Sequence, residues 1–497
     1  MEHVDVLIVG AGISGIDAAC RLRERCPGRS FAIVEARGEI GGTWDLFRFP
    51  GIRSDSDMFT LSFPFRPWKG AKAIVGGADI REYVRDTARA YGVDREIRFH
   101  HRVRSAEWSS EQERWLVELE RTDTGEAVRL SCGFLFGCTG YYRYDRGYAP
   151  EFPGTERFQG RIVHPQTWPD DAEYAGKRVV VIGSGATAVT LIPAMAERAA
   201  HVTMLQRSPS YVISLPSVDP LARVFTRVLP AGLAYRVTRA KNALLAILIW
   251  TFSRRRPQAM RRLIRALTRR QLPPGFDVDT HFNPRYDPWD QRMCIIPDND
   301  LFAAISSGRV SVVTDRVETF TETGIRLGSG AELEADLVVT ATGLALIPLG
   351  GIRLAVDGRE VDLADTFAYR GMQVSGVPNL AFAFGYINQS WTLGADLTAL
   401  QVCRLLNHME RHGYATVTPR HPGPSAPAVP FAELNSGYIR RDIARFPKQT
   451  TAEPWRREQN YAQNRRAVLG SSLDDEALQY ARQSAGTSAA AAAARVG

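Results

Sequence analysis

The six cysteines of this 497-residue chain, Cys20, Cys26, Cys132, Cys138, Cys294 and Cys403, include no C-x-x-C pair and no metal-ligand spacing. This excludes a dithiol centre and a zinc site of the usual kinds, and leaves free thiols suited to a reducing compartment. Long apolar runs are also missing. The longest, Ala243 to Phe252, has about ten residues where a membrane-spanning helix needs roughly 20. Met1 leads almost at once into the apolar run Val4 to Val9 and then into glycines, which is not a secretory pattern, so a cytoplasmic location is expected. No repeat period is present.

Acidic residues are absent from one window. Leu221 to Arg270 holds 12 Arg and one Lys with no Asp or Glu, a charge of +13 in a chain of +8, so the remainder is −5. A nucleic-acid-binding protein would be basic more generally, and nucleic acid is not an expected partner. Arg261, Arg262, Arg265, Arg269 and Arg270 interleave with Leu263, Ile264 and Leu267 at helical spacing. A solvated basic helix beside an anionic cofactor is one reading, and weak peripheral contact with acidic lipid is another.

What is present fits a soluble α/β protein: 44% apolar and 23% charged residues, with length for two to four domains. Val4 to Val9 reads as a buried strand, Gly10-Ala11-Gly12-Ile13-Ser14-Gly15 opens a helix to about Glu24, and Phe31 to Val34 is a second strand ending at Glu35. A second unit runs from Arg178–Ile182 through Gly183-Ser184-Gly185-Ala186-Thr187-Ala188 to the strand His201–Leu205. Between them, segments near 103–108, 115–120 and 127–131 suggest an antiparallel meander, followed by a strand at 134–138 and Thr139-Gly140. Asp336 to Ala341 likewise ends in Thr342-Gly343. The expectation is two Rossmann-like dinucleotide domains, the second inserted into the first. The first takes 1–145 and 338–483, and the second 146–337 with a helical insert at about 213–290. A disordered tail is expected at 484–497, where six alanines run together at 489–494.

A G-x-G-x-x-G run is weak alone, but Gly10, Gly12 and Gly15 follow a strand, open a helix, and are followed 20 residues after Gly15 by Glu35. Such a carboxylate accepts hydrogen bonds from ribose hydroxyls and suits FAD. After the second loop comes Gln206-Arg207-Ser208-Pro209, without an acid. Arg207 offers planar donors for a 2′-phosphate, so the second cofactor reads as NADPH. Arg207 as an ordinary surface residue is the structural alternative.

Two further motifs resemble the flavin-dependent monooxygenases, and among them the Baeyer–Villiger type. One is Phe158, Gly160, His164, Trp168 and Pro169, where relatives that oxygenate only nitrogen and sulfur usually end in Tyr or Phe without the proline. The other is Gly41-Gly42-Thr43-Trp44, continuing to Phe49-Pro50-Gly51 and Asp55. The resemblance covers residues 1 to about 465. It implies a glutathione-reductase-like plan with NADPH reducing FAD. One oxygen of O2 would then be inserted beside a ketone carbonyl to give an ester or lactone, with sulfides or thioamides as further substrates. It also implies that Arg292 is the catalytic arginine and Asp55 the carboxylate that holds it. Cofactor contacts would come from Gly42, Thr43, Trp44, Arg53, Ser54, Asp55 and the Val103 backbone. Gly10, Gly12, Ser14 and Gly15 would hold FAD with Glu35. Gly183, Ser184, Gly185, Ala186, Thr187, Gln206 and Arg207 would hold NADPH. His164 could be a general base, but its linker position favours an orienting role in the hinge. Gln291 departs from the lysine common at that place in the family, which shifts more of the NADPH preference onto Arg207. An N- or S-oxygenating enzyme is the main alternative. An NADPH-dependent flavoprotein reductase of the disulfide type would need a cysteine pair that the chain lacks.

Overall fold

A computed structural model describes residues 1–482, so the tail expected at 484–497 lies outside the described residues. The apolar runs become strands buried on both faces, which is why they lack polar alternation. Glu2–Val9 pairs in parallel with Phe31–Val34 on one edge and with Ala127–Gly137 on the other. His101–Ser109, Arg114–Arg121 and Ala127–Gly137 form the antiparallel meander. The late strands Arg353–Val356 and Leu380–Phe382 join the same sheet. Segments from both ends of the chain therefore build one eleven-stranded sheet.

The strands expected separately at 127–131 and 134–138 are a single strand, Ala127–Gly137. One edge serves Arg114–Arg121 as far as Cys132, then passes to Leu380–Phe382 from Leu135 onward. The ladder changes partner without the strand breaking.

The second sheet has five parallel strands, in the order Val310–Thr314, His201–Gln206, Arg178–Ile182, Leu337–Thr340 and Arg161–Val163. Two expectations shift here. Leu337–Thr340 lies inside this sheet, so the boundary expected between 337 and 338 cuts a strand and moves past Thr340. Arg161–Val163, within the Phe158–Pro169 motif, is an edge strand of the second sheet as well as part of the connection.

The expected helical insert begins and ends on a two-stranded parallel pair, Val212–Leu215 with Cys294–Pro297. Between them lie the helices Pro220–Val228, Ala231–Arg255, Pro257–Gln271 and Val278–His281. Arg239, on the longest of these, is buried and donates to the carbonyls of Phe59 and Ser62, both at 2.8 Å. These bonds fasten the insert to the first domain. The buried pair of Arg21 Nε with Asp396 Oδ1, at 2.7 Å, ties the first helix Ile13–Arg25 to Trp391–His412.

Candidate active site

In the first loop, the packing requires glycine at two of the three positions, for different reasons. Gly10 has φ +107°, and a Cβ there would lie 2.7 Å from the Cys138 carbonyl oxygen. A Cβ on Gly15 would come within 1.8 Å of the Gly10 carbonyl, so this glycine lets helix and strand touch. Gly12 is different: its Cβ would meet nothing nearer than 3.5 Å, on Gly42 Cα. The packing of the protein therefore leaves room at Gly12. The helix that follows has no side-chain N-cap and no acid in its first turn. No side chain competes for its first N–H groups, the arrangement a pyrophosphate site uses.

Glu35 is buried, and its carboxylate accepts from the N–H groups of Ala11 and Arg37 at 2.8 and 2.9 Å. Burial raises its pKa, and those two bonds oppose the rise. The N–H of His101 donates to the Glu35 carbonyl at 2.8 Å, and Val103 lies two residues on, where the pairing register shifts between Val103 and Ser105. The Gly41–Gly42 turn bridges to Gly12. Thr43 and Trp44 open the short helix Thr43–Leu46 directly behind it. The Thr43 hydroxyl lies 3.5 Å from the hydroxyl of Tyr144, whose pKa burial pushes up to about 12. Ser14 accepts a bond from the Trp391 indole N–H at 2.7 Å, so the start of Trp391–His412 is clamped to the first loop.

The second loop repeats the logic. Gly183 has φ +142°, and a Cβ would lie 2.3 Å from the Ala341 carbonyl oxygen, whereas a Cβ on Gly185 would meet nothing within 4 Å. Ala186 and Thr187 begin the helix Ala186–Met195, again without a side-chain cap. The Ser184 hydroxyl is near Ser210 Oγ at 2.9 Å and donates to the Ser208 carbonyl at 3.1 Å. The Gln206 side chain is buried and donates through Nε2 to the His281 carbonyl and to Thr314 Oγ1, while its backbone carbonyl accepts from the N–H of Asp315 at 3.0 Å, so the residue is largely committed to packing. Arg207 is exposed, and its guanidinium has no partner among the described residues.

The two halves meet at residues 49–55. Gly51 lies against the Ala186–Met195 helix, where a Cβ would come 2.7 Å from the Thr190 carbonyl oxygen. Arg53 donates to Asp300 Oδ2 at 2.5 Å and to the Val189 carbonyl at 3.4 Å, while its Nε is buried without a partner. Ser54 is buried beside it and accepts from the N–H of Ser56 at 2.9 Å. Asp55 Oδ2 takes two bonds from Arg292, from Nε at 3.0 Å and Nη2 at 2.6 Å. The Asp55 charge, acting against burial, holds the Arg292 pKa well above its ordinary value, so this is a permanent cation. Its backbone N–H donates to Ser436 Oγ at 3.2 Å, and Tyr438, Tyr141 and Tyr142 stand around it. The Tyr141 ring is stacked on Trp391 at 5.2 Å. These tyrosines and Ser436 have no motif spacing in the sequence; only the fold collects them.

The description of flavin-binding monooxygenase-like proteins matches residues 62–348, and that of NAD(P)-binding Rossmann-like domains matches residues 8–72. The FAD-containing monooxygenase EthA of Mycobacterium tuberculosis is 53% identical over 485 residues, covering 97% of this chain and 99% of its own. The EthA of Mycolicibacterium smegmatis is 50% identical over 489 residues, covering 98% and 99%. The chain belongs to the flavin-binding monooxygenase-like family. In fold, this flavin monooxygenase is similar to an oxidized steroid monooxygenase bound to NADP, with TM-score 0.75, 23% identity and coverage of 97% and 100%. It is also similar to a cyclohexanone monooxygenase from Rhodococcus sp. Phi1 bound to NADP+, with TM-score 0.72, 20% identity and coverage of 97% and 100%.

Within this flavin monooxygenase, the Phe158–Pro169 motif ties together the two places where the chain crosses between sheets. His164 Nδ1 accepts from the Gln166 N–H at 3.1 Å, which leaves the proton on Nε2, 3.3 Å from the Gly343 carbonyl on the returning crossing. Its ring also packs on Gly147 of the outgoing crossing, where a Cβ would lie 2.0 Å from it. Gln166 Nε2 donates to the Arg143 carbonyl at 2.7 Å. Burial lowers the His164 pKa, so the ring is neutral. Phe158 packs edge-on against Phe320 at 5.7 Å, and a Cβ on Gly160 would strike the Phe158 ring at 2.4 Å. Trp168 packs edge-on against Tyr174 at 6.4 Å, with Pro169 following at the surface turn. His164 thus has the surroundings of a structural clasp.

Proposed function

We propose that this flavin monooxygenase is of the Baeyer–Villiger type, dependent on FAD and NADPH, and inserts one O2-derived oxygen beside a ketone carbonyl. The single observation that carries the reading is the Arg292–Asp55 pair at the junction of the two loop systems. FAD would be held by Gly10, Gly12, Ser14 and Gly15 with Glu35, Gly42, Thr43, Trp44 and the Val103 backbone. NADPH would be held by Gly183, Ser184, Gly185, Ala186 and Thr187, with Arg207 on the 2′-phosphate and Arg53 and Ser54 toward the nicotinamide end. The bound flavin supplies the redox chemistry that NADPH feeds and O2 consumes. The names of the relatives support these cofactors: the EthA proteins are called FAD-containing, and both solved neighbours hold NADP.

Negative charge develops on oxygen during this insertion, and a fixed cation stabilises it without reorganising. Arg292 would supply that cation, with Asp55 setting its direction and Ser436 its backbone. Sulfide oxidation from the same site is the companion activity. A purely N- or S-oxygenating enzyme is the second reading, and Trp168-Pro169 argues against it. Ketone or sulfide and O2 are the proposed small-molecule partners, with a peripheral lipid contact proposed for the basic insert. The test is incubation of the holoenzyme with NADPH, 18O2 and a panel of ketones and sulfides. The expected result is labelled ester or lactone. Sulfoxide with no ester from any ketone would shift the assignment to the second reading, and peroxide alone would count against both.

A further inference from the structure

Thirteen large apolar side chains are exposed among the described residues, and eleven of them fall between Leu215 and Leu267. They recur at helical spacing. Leu221, Val224 and Val228 lie on the first insert helix, Leu244, Leu248 and Phe252 on the long one, and Leu263 and Leu267 on the third. Leu248 is 55% exposed and Val228 67%. The same window carries the +13 charge. Some of that charge is used internally: Arg239 binds carbonyls, Arg254 pairs with Asp290, Arg261 binds Asn283, and Arg265 and Arg269 share Asp279. The other seven arginines, among them Arg255, Arg256, Arg262 and Arg270, have no side-chain partner among the described residues. The inner side of the long helix is fixed to the fold, with Trp250 edge-on to Trp289 at 5.3 Å and Arg254 on Asp290 at 2.7 Å.

We infer that this face of the insert docks on an anionic lipid bilayer. Apolar side chains flanked by unpaired arginines on helices are the pattern of a surface that sinks its leucines into the acyl boundary and sets its cations among acidic headgroups. Charge selects this occupant. A second copy would bring the same unpaired cations against one another, with no acid between Leu221 and Arg270 to relieve them. A nucleic acid would take the arginines and leave the leucines in water. No helix among the described residues is long and apolar enough to cross a membrane, so the insert lies on the surface. Trp289 and Asp290, which anchor the long helix, immediately precede Gln291 and Arg292. Docking would therefore set the reaction centre just behind the membrane face.

The test is flotation of the full-length holoenzyme with vesicles of pure phosphatidylcholine or with about one-third phosphatidylglycerol. The expected result is recovery with the acidic vesicles, weaker recovery with neutral ones, and partial release by salt. Two sets of variants separate the contributions, with thermal melting confirming that each folds. Leu248→Ser with Phe252→Ser should weaken binding about tenfold, and Arg255→Glu with Arg262→Glu should remove the preference for acidic lipid. The inference is overturned if the wild type fails to float with either vesicle. Unchanged binding by both variants would also overturn it. So would a concentration-dependent dimer that the serine variant dissolves, or duplex DNA binding that the serine variant retains. None of these readouts depends on the oxygenation chemistry.

Discussion

Arg292 places Nε and Nη2 on one carboxylate oxygen of Asp55, although the two residues are 237 positions apart. A cation shared between distant segments exists only when the two halves are docked. Arg292→Ala is expected to lower ester formation about 100- to 1,000-fold, the range for loss of a preorganised charge stabiliser. Asp55→Asn keeps the cation but loosens its direction, and a loss of about tenfold is expected. Product formation and NADPH consumption measured side by side check both. Ester formation by Arg292→Ala at near wild-type rate would remove the arginine from the mechanism.

The second glycine of each loop is the one at which the packing would accept a Cβ. Gly12→Ala and Gly185→Ala introduce methyl groups that the protein itself accommodates, so melting without cofactor is expected to change by about 1 kcal/mol or less. Gly12→Ala should purify depleted in FAD. Gly185→Ala should raise the NADPH Michaelis constant about tenfold. Gly15→Ala must instead displace the Gly10 carbonyl and should lower stability outright. Normal flavin content and NADPH affinity in the first two variants would place the nucleotides elsewhere.

Arg207 is exposed with an uncommitted guanidinium. Arg207→Ala is expected to raise the Michaelis constant for NADPH by about ten- to 100-fold, the worth of a charge-assisted phosphate contact, and to leave that for NADH nearly unchanged. Parallel kinetics with the two coenzymes decide it. Equal changes would release Arg207 from the 2′-phosphate.

His164 gives a pH dependence with a definite sign. Burial lowers its pKa from the ordinary 6.5, so the native state favours the neutral ring. Its stabilising contribution is complete above about pH 6.5 and is lost as pH falls through the lower native value. Melting of the wild type and His164→Gln from pH 8 to pH 5 should show the wild type ahead by about 1 kcal/mol at the upper end. The gap should close toward the lower end. A constant gap would mean that the ring does not titrate with unfolding.

The glycine loops, Glu35 and the buried parallel strands were legible because each depends on residues adjacent in sequence. A strand, a turn that rejects Cβ atoms and a helix start leave a local signature. The Arg292–Asp55 pair was legible only through family resemblance, since no local spacing relates residues that far apart. Tyr438, Tyr141 and Ser436 gave no signal at all; Ser436 and Tyr438 come from the late chain, which packs Phe431, Leu434 and Ile439 on the first sheet, while Tyr141 follows the strand Ala127–Gly137. The boundary at 337/338 failed for a related reason. Thr342-Gly343 marks the end of a strand, and nothing in the sequence of Leu337–Thr340 says which sheet that strand enters. The insert was readable as helical, but its outward leucines were not, because helical periodicity gives an apolar stripe without saying whether anything covers it.

Cys294 stands two residues beyond Arg292, buried, with its Sγ 3.7 Å from the Ser184 carbonyl oxygen. Burial pushes its pKa up to about 12. Only the thiolate is rapidly oxidised by peroxides. An enzyme whose chemistry depends on reactive oxygen thus keeps this thiol, two residues from Arg292, protonated and buried, and the fold that gathers the charged pair also shields a nucleophile beside it.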